Sequence, residues 1–155
     1  MDPAQNVANG VRVYDISGAT WVLHSAQVLD NQSAGSVAFS NSGQYLAVGG
    51  DGGATSNYKV FDMSNSNILL NEGVEGQGTT PEHVFSYAQV WNADDSLVIF
   101  GRFDGGGSPR FNVYETNTWT EVFSGSSGST FSPNQVRGAL ILSADESILF
   151  AGGDE

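Results

Sequence analysis

The chain has no cysteine. Disulfides, thiolate metal sites and cysteine nucleophiles are therefore excluded, although the compartment is left open. Cations are also scarce. Among 155 residues only Arg12, Lys59, Arg102, Arg110 and Arg137 are basic, against 17 acids, for a net charge of −12. A chain this acidic repels phosphate backbones and anionic lipid surfaces, so neither nucleic acid nor membrane is expected as a partner. No apolar run reaches eighteen residues, so no membrane-spanning helix is expected. The first apolar stretch, from Val11, is short, interrupted by Arg12 and Asp15 and preceded by acid, unlike a signal peptide.

Catalytic signatures are missing as well. His24 and His83 are the only histidines and stand in different contexts, and no His/Asp/Glu cluster has zinc spacing. No serine sits in a Gly-x-Ser-x-Gly turn with plausible partners, and no phosphate-loop lysine follows the glycine-rich stretch at Gly125. The expectation is a non-enzyme with no catalytic residue, no metal and no cofactor.

What is present is periodic. Val37–Gly50 (VAFSNSGQYLAVGG) returns as Gln89–Arg102 (QVWNADDSLVIFGR) and as Leu140–Gly153 (LILSADESILFAGG). Ser40, Asn92 and Ser143 coincide, at spacings of 52 and 51 residues. A second pattern, Val11–Ser17 (VRVYDIS), returns as Tyr58–Ser64 (YKVFDMS) and Phe111–Asn117 (FNVYETN). Each pattern is an apolar run bounded by a short polar turn, which predicts a β-hairpin. Tyr45–Val48, Leu97–Phe100 and Ile148–Ala151 are nearly solid apolar, as expected of strands covered on both faces. Helical spacing fits none of these segments.

Four short antiparallel strands, a to d, in about fifty residues are the size of a propeller blade. The Ser36–Gly53 segment followed by Tyr58–Met63 resembles a WD-repeat-type blade. The Trp-Asp pair that names that family is replaced by Tyr14-Asp15, Phe61-Asp62 and Tyr114-Glu115, and its Gly-His signature is absent. The resemblance implies an all-β fold of propeller blades, in one propeller-forming domain over residues 1–155. A c–d half-blade is expected at 11–25, full blades at 36–71 and 88–124, and an a–b half-blade at 139–153. One blade is thus split between the two ends. Closure within one chain would give three blades, whereas propellers typically have about 4–8. A head-to-tail homodimer, with six blades, is the expected solution.

Several residues are candidates for binding. Asp51, Asp104 and Asp154 recur after strand b, where carboxylates could meet a hard cation or sugar hydroxyls, or could simply serve Asp-Gly turns. Glu82 and His83 lie in the long d–a loop, which could bind a partner or be a solvated insertion. Trp21 and Trp119 flank c–d turns, where they could stack on sugar rings or pack on the outer strand. Asp15, Asp62 and Glu115 close strand c and are expected to have a local structural role. Three functions stay open: a protein- or peptide-binding scaffold, a glycan-binding propeller lectin, and a structural or engineered self-assembling unit.

Overall fold

The computed structural model describes residues 10–20, 22–28, 33–51, 58–64, 68–73, 84–104, 110–126 and 135–154. Among these the chain is all-β, with no helix. A first hairpin pairs β1 (Gly10–Asp15) with β2 (Val22–Val28). A first four-stranded antiparallel meander follows, made of β3 (Ser33–Phe39), β4 (Tyr45–Asp51), β5 (Tyr58–Asp62) and β6 (Ile68–Gly73). A second contains β7 (Val84–Trp91), β8 (Leu97–Asp104), β9 (Arg110–Glu115) and β10 (Thr120–Ser126). A single bridge, Asp51 to Phe85, joins the two. The last hairpin pairs β11 (Gln135–Leu142) with β12 (Leu149–Asp154).

Side chains alternate between the two faces of each strand, and this alternation stacks the four units face to face. Val11 and Val13 of β1 pack on Leu46, Val48, Phe61 and Met63 of the first meander. From its other face, Ala47, Tyr58 and Val60 meet Trp91, Val98, Phe100 and Tyr114 of the second meander. The far face of that meander presents Ala88, Ile99 and Val113 to Leu140, Leu142 and Leu149 of the last hairpin. Strands β4 and β8 are covered on both sides, as their solid apolar sequences require. Each large apolar side chain buried in these layers contributes about 1.5–3 kcal/mol.

The central layer is rich in aromatic contacts. Tyr58 lies 4.6 Å from Phe100 and 5.4 Å from Tyr114, centroid to centroid. Tyr45 stacks on Trp91 at 5.7 Å and receives Trp119 edge-on at 5.6 Å. Trp91 also donates its indole N–H across the layer to the Ala38 carbonyl, at 3.1 Å. That bond satisfies the one polar atom this ring would otherwise bury.

Irregularities recur at matching places. The ladder slips between Ala34 and Ser36 in β3, between Ser86 and Ala88 in β7, and between Gln135 and Ala139 in β11. The outer strands slip between Ser25 and Leu23, between Asn71 and Leu69, and between Glu121 and Phe123. An inserted residue bends a strand and raises its twist. The three inner strands begin three to four residues before the expected blade starts at 36, 88 and 139, because their first residues lie beyond these slips.

Candidate functional site

The three turns between the first two strands of each unit are built alike. Ser40 N–H donates to the Tyr45 carbonyl, Asn92 N–H to Leu97 and Ser143 N–H to Ile148. Inside each loop the N–H of Gly43, Asp95 or Glu146 donates back to Ser40, Asn92 or Ser143. Those three donors occupy the same left-handed position, with φ of 73°, 60° and 57°. Glycine adopts this conformation freely, and aspartate tolerates it better than most residues.

At this position an acid reaches into the neighbouring turn. Asp95 accepts the N–H groups of Asn41 (2.7 Å) and Ser42 (2.8 Å), together with the Asn41 side-chain amide (2.9 Å). Asn41 Nδ2 also donates to the Asn92 carbonyl. One unit further along, Glu146 accepts the Ala93 N–H. The first two turns are thus each clasped by an acid of the next, where the units are stacked. Gly43 occupies the corresponding place in the first meander and has no carboxylate to offer.

Hydrogen bonds hold several of these acids in the charged form. Asp94 titrates below its usual value because the Ser96 hydroxyl and N–H, then the Asn92 amide, donate to it. Asp145 is lowered by the hydroxyls of Ser143 and Ser147 and by the Ser147 N–H. For Asp95, partial burial pushes the value up but is outweighed by donors from Ser42 and Asn41, so it too is lowered. Carboxylates with depressed native values stabilise fully above the unfolded value near 3.8. That contribution disappears as pH falls through the lower native value. Asp95→Asn should cost about 1–2 kcal/mol near neutrality, the lower range for bonds to a charged group because water reaches the site. The gap between variant and parent should shrink as pH falls below the unfolded value near 3.8 and through the lower native one, as urea unfolding at successively lower pH will show. A gap that persists at the acid end would mean that the carboxylate charge contributes nothing.

The acids that close the third strand of each unit have local partners. Asp15 accepts the Ser17 N–H at 2.8 Å, and Asp62 accepts the Ser64 N–H and hydroxyl at 2.9 and 2.6 Å. Glu115 accepts the Thr118 hydroxyl at 2.9 Å. These bonds organise the following turns, the local role expected from their position.

The largest chemical anomaly lies at the two ends of the stack. Tyr14 is 42% exposed, whereas its counterparts Phe61 and Tyr114 are 4% and 7% exposed. Phe150 is 59% exposed, whereas its counterparts Ala47 and Ile99 are 0% and 8% exposed. Ile16 accompanies Tyr14 on the outward face of the first hairpin, and Ile141 and Ile148 accompany Phe150 on that of the last. Val37 and Phe39 of β3 are also exposed, beside the area that β1 covers. So are Phe123 and the adjacent Val122 of β10, beyond the cover that the last hairpin gives. These nine are the exposed large apolar residues among the described ones. They group at the faces that a neighbouring half-unit covers inside the stack. Clustered apolar exposure of this kind marks an interaction surface.

The residues singled out from the sequence fall in three groups. Asp51, Asp104 and Asp154 are the last residues of β4, β8 and β12, paired in the ladder with Ser33, Val84 and Gln135. They end corresponding strands rather than lying free in loops. Trp119 is partly buried against the central layer and held edge-on by Tyr45, with a left-handed φ of 53°. Trp21, Glu82 and His83 lie outside the described residues. Among the described residues no three His, Asp or Glu side chains gather as metal ligands do. Sequence reasoning missed the clasping acids Asp95 and Glu146. The available signal was their alignment with Gly43, since an acid aligned with a turn glycine marks the left-handed position.

No protein-family model matches the chain, and a search of curated proteins finds no significant match.

Proposed function

We propose that the chain is a non-enzymatic, self-assembling interaction scaffold: half of a six-bladed β-propeller of the WD-repeat type, closed head to tail by two copies. The observation that carries this reading is the exposure of Tyr14 and Phe150 at positions whose counterparts are buried within the stack. The hairpin β1–β2 supplies the outer two strands of a blade, and β11–β12 supplies the inner two. Among the described residues each remains a separate two-stranded sheet. They pack on opposite ends of the stack of two meanders, so within one chain neither pairs with the other. A lone two-stranded hairpin is marginal in water, and an open strand edge invites pairing.

Joining the last hairpin of one copy to the first hairpin of another makes one complete blade, and two such joints close the ring. The finished ring would gather the strand ends at Asp51, Asp104 and Asp154 from both copies on one rim, an acidic surface for a protein or peptide partner. Trp119 is engaged by Tyr45, so the sugar-stacking alternative has no particular observation in its favour.

Native mass spectrometry tests the assembly. The expected species has twice the 16.3 kDa mass of the chain. Because association stabilises the folded chain more as its concentration rises, dimer should dominate at about 10 µM. A folded monomer at that concentration overturns the proposal.

A further inference from the structure

We infer that a second copy of this chain joins β12 to β1 in one defined antiparallel register, with Ile148 opposite Asp15, Leu149 opposite Tyr14 and Phe150 opposite Val13. This inference rests on the head-to-tail reading and goes beyond it, since head-to-tail pairing alone leaves the register free. The register is set by the two joints already present within the chain. In the first meander Tyr45 faces Asp62, Leu46 faces Phe61 and Ala47 faces Val60. In the second, Leu97 faces Glu115, Val98 faces Tyr114 and Ile99 faces Val113. The two ladders agree position by position once the repeats are aligned. Carrying that alignment to the ends of the chain gives the stated pairs.

The direction of the side chains supplies an independent check. Leu149 packs towards the second meander of its own chain, and Tyr14 turns away from the first meander of its own chain. In this register the two lie side by side on one face of the completed blade, the face that meets the second meander. On the other face, Val13 already packs on the first meander of its own chain. Phe150, opposite it, then points to that same meander, where Phe39 is exposed beside the covered area. A slip of one residue sends every side chain of β12 to the wrong face, leaving Phe150 exposed and burying none of the apolar patches.

The absence of cysteine makes the register directly readable. The Met63 N–H donates to Gln44 and the Thr116 N–H to Ser96, which makes Tyr45–Asp62 and Leu97–Glu115 pairs without mutual backbone hydrogen bonds. Opposed residues of this kind come closest together, within reach of a disulfide. The chain carrying Ile148→Cys and Asp15→Cys should therefore oxidise to a covalent dimer on a non-reducing denaturing gel. It should do so at least about tenfold faster than a chain carrying Ile148→Cys and Val13→Cys, two residues out of register. Both variants are first weighed by native mass spectrometry. If both are dimers and the second pair links faster, the register is wrong while head-to-tail assembly survives. If the first pair closes within single chains, the second copy is wrong as the occupant. If neither variant nor the parent dimerises, the head-to-tail reading itself fails.

Discussion

Phe150→Asp is expected to divide the assembly into folded monomers. Phe150 stands 59% exposed at the end of the stack, and its internal counterparts Ala47 and Ile99 are almost completely buried. In the proposed ring the substitution places a carboxylate against the apolar face around Phe39. An unpaired charge buried in this way costs about 3–5 kcal/mol. Each dimer has two joints, so the penalty acts twice and the dissociation constant should rise by about four orders of magnitude or more. Sedimentation at micromolar concentration should show monomer. Near-ultraviolet circular dichroism should keep the signal of the Tyr45–Trp91 stack, which lies between the meanders and away from the joint. A variant that dimerises like the parent would exclude Phe150 from the contact. A monomer lacking the aromatic signal would mean that the stack cannot stand without its partner.

Phe100→Ala should have the largest effect on stability within a single subunit. Phe100 is fully buried in the layer between the two meanders, with Tyr58 and Tyr114 against its ring at 4.6 and 5.9 Å. Truncation removes the buried ring and leaves a hole that the flanking sheets can only partly close, at a cost of about 3–5 kcal/mol. A domain of this size is stable by about 5–15 kcal/mol, so this one change consumes a large share of the total. Urea unfolding at fixed protein concentration will measure it, since association adds to apparent stability. A loss below about 1.5 kcal/mol would show that the layer repacks around the space.

The sequence discloses the parts that obey a simple period. The turns at Ser40, Asn92 and Ser143, and the strands that follow them, are marked by apolar runs against short polar breaks, and the structure has them there. The alternation of Leu46 and Val48 with Ala47 is a consequence of the pleat, and the two faces of β4 divide accordingly between different layers. The starts of the inner strands are less legible. Ser33, Ala34 and Gly35 have little strand propensity, and the slip beside Gly35 breaks the period that would have exposed them. The clasping role of Asp95 was hidden for another reason. An Asp-Asp pair before a serine reads as an ordinary turn, and only the left-handed φ turns its carboxylate onto Asn41 and Ser42, 54 and 53 residues earlier in the chain. Asp51, Asp104 and Asp154 were visible as a recurring set, but recurrence alone cannot separate a binding group from the last rung of a ladder.

Gly43 has a consequence for how such a ring would come apart. Within a chain, successive units are fastened at the turns by Asp95 and Glu146. At the boundary between copies in the proposed ring the facing turn would carry Gly43, which has no carboxylate to reach across as Asp95 and Glu146 do. That boundary would lack the clasp the internal ones have, and it would be the first place to yield. Subunits could then exchange between rings while each keeps its own two meanders intact.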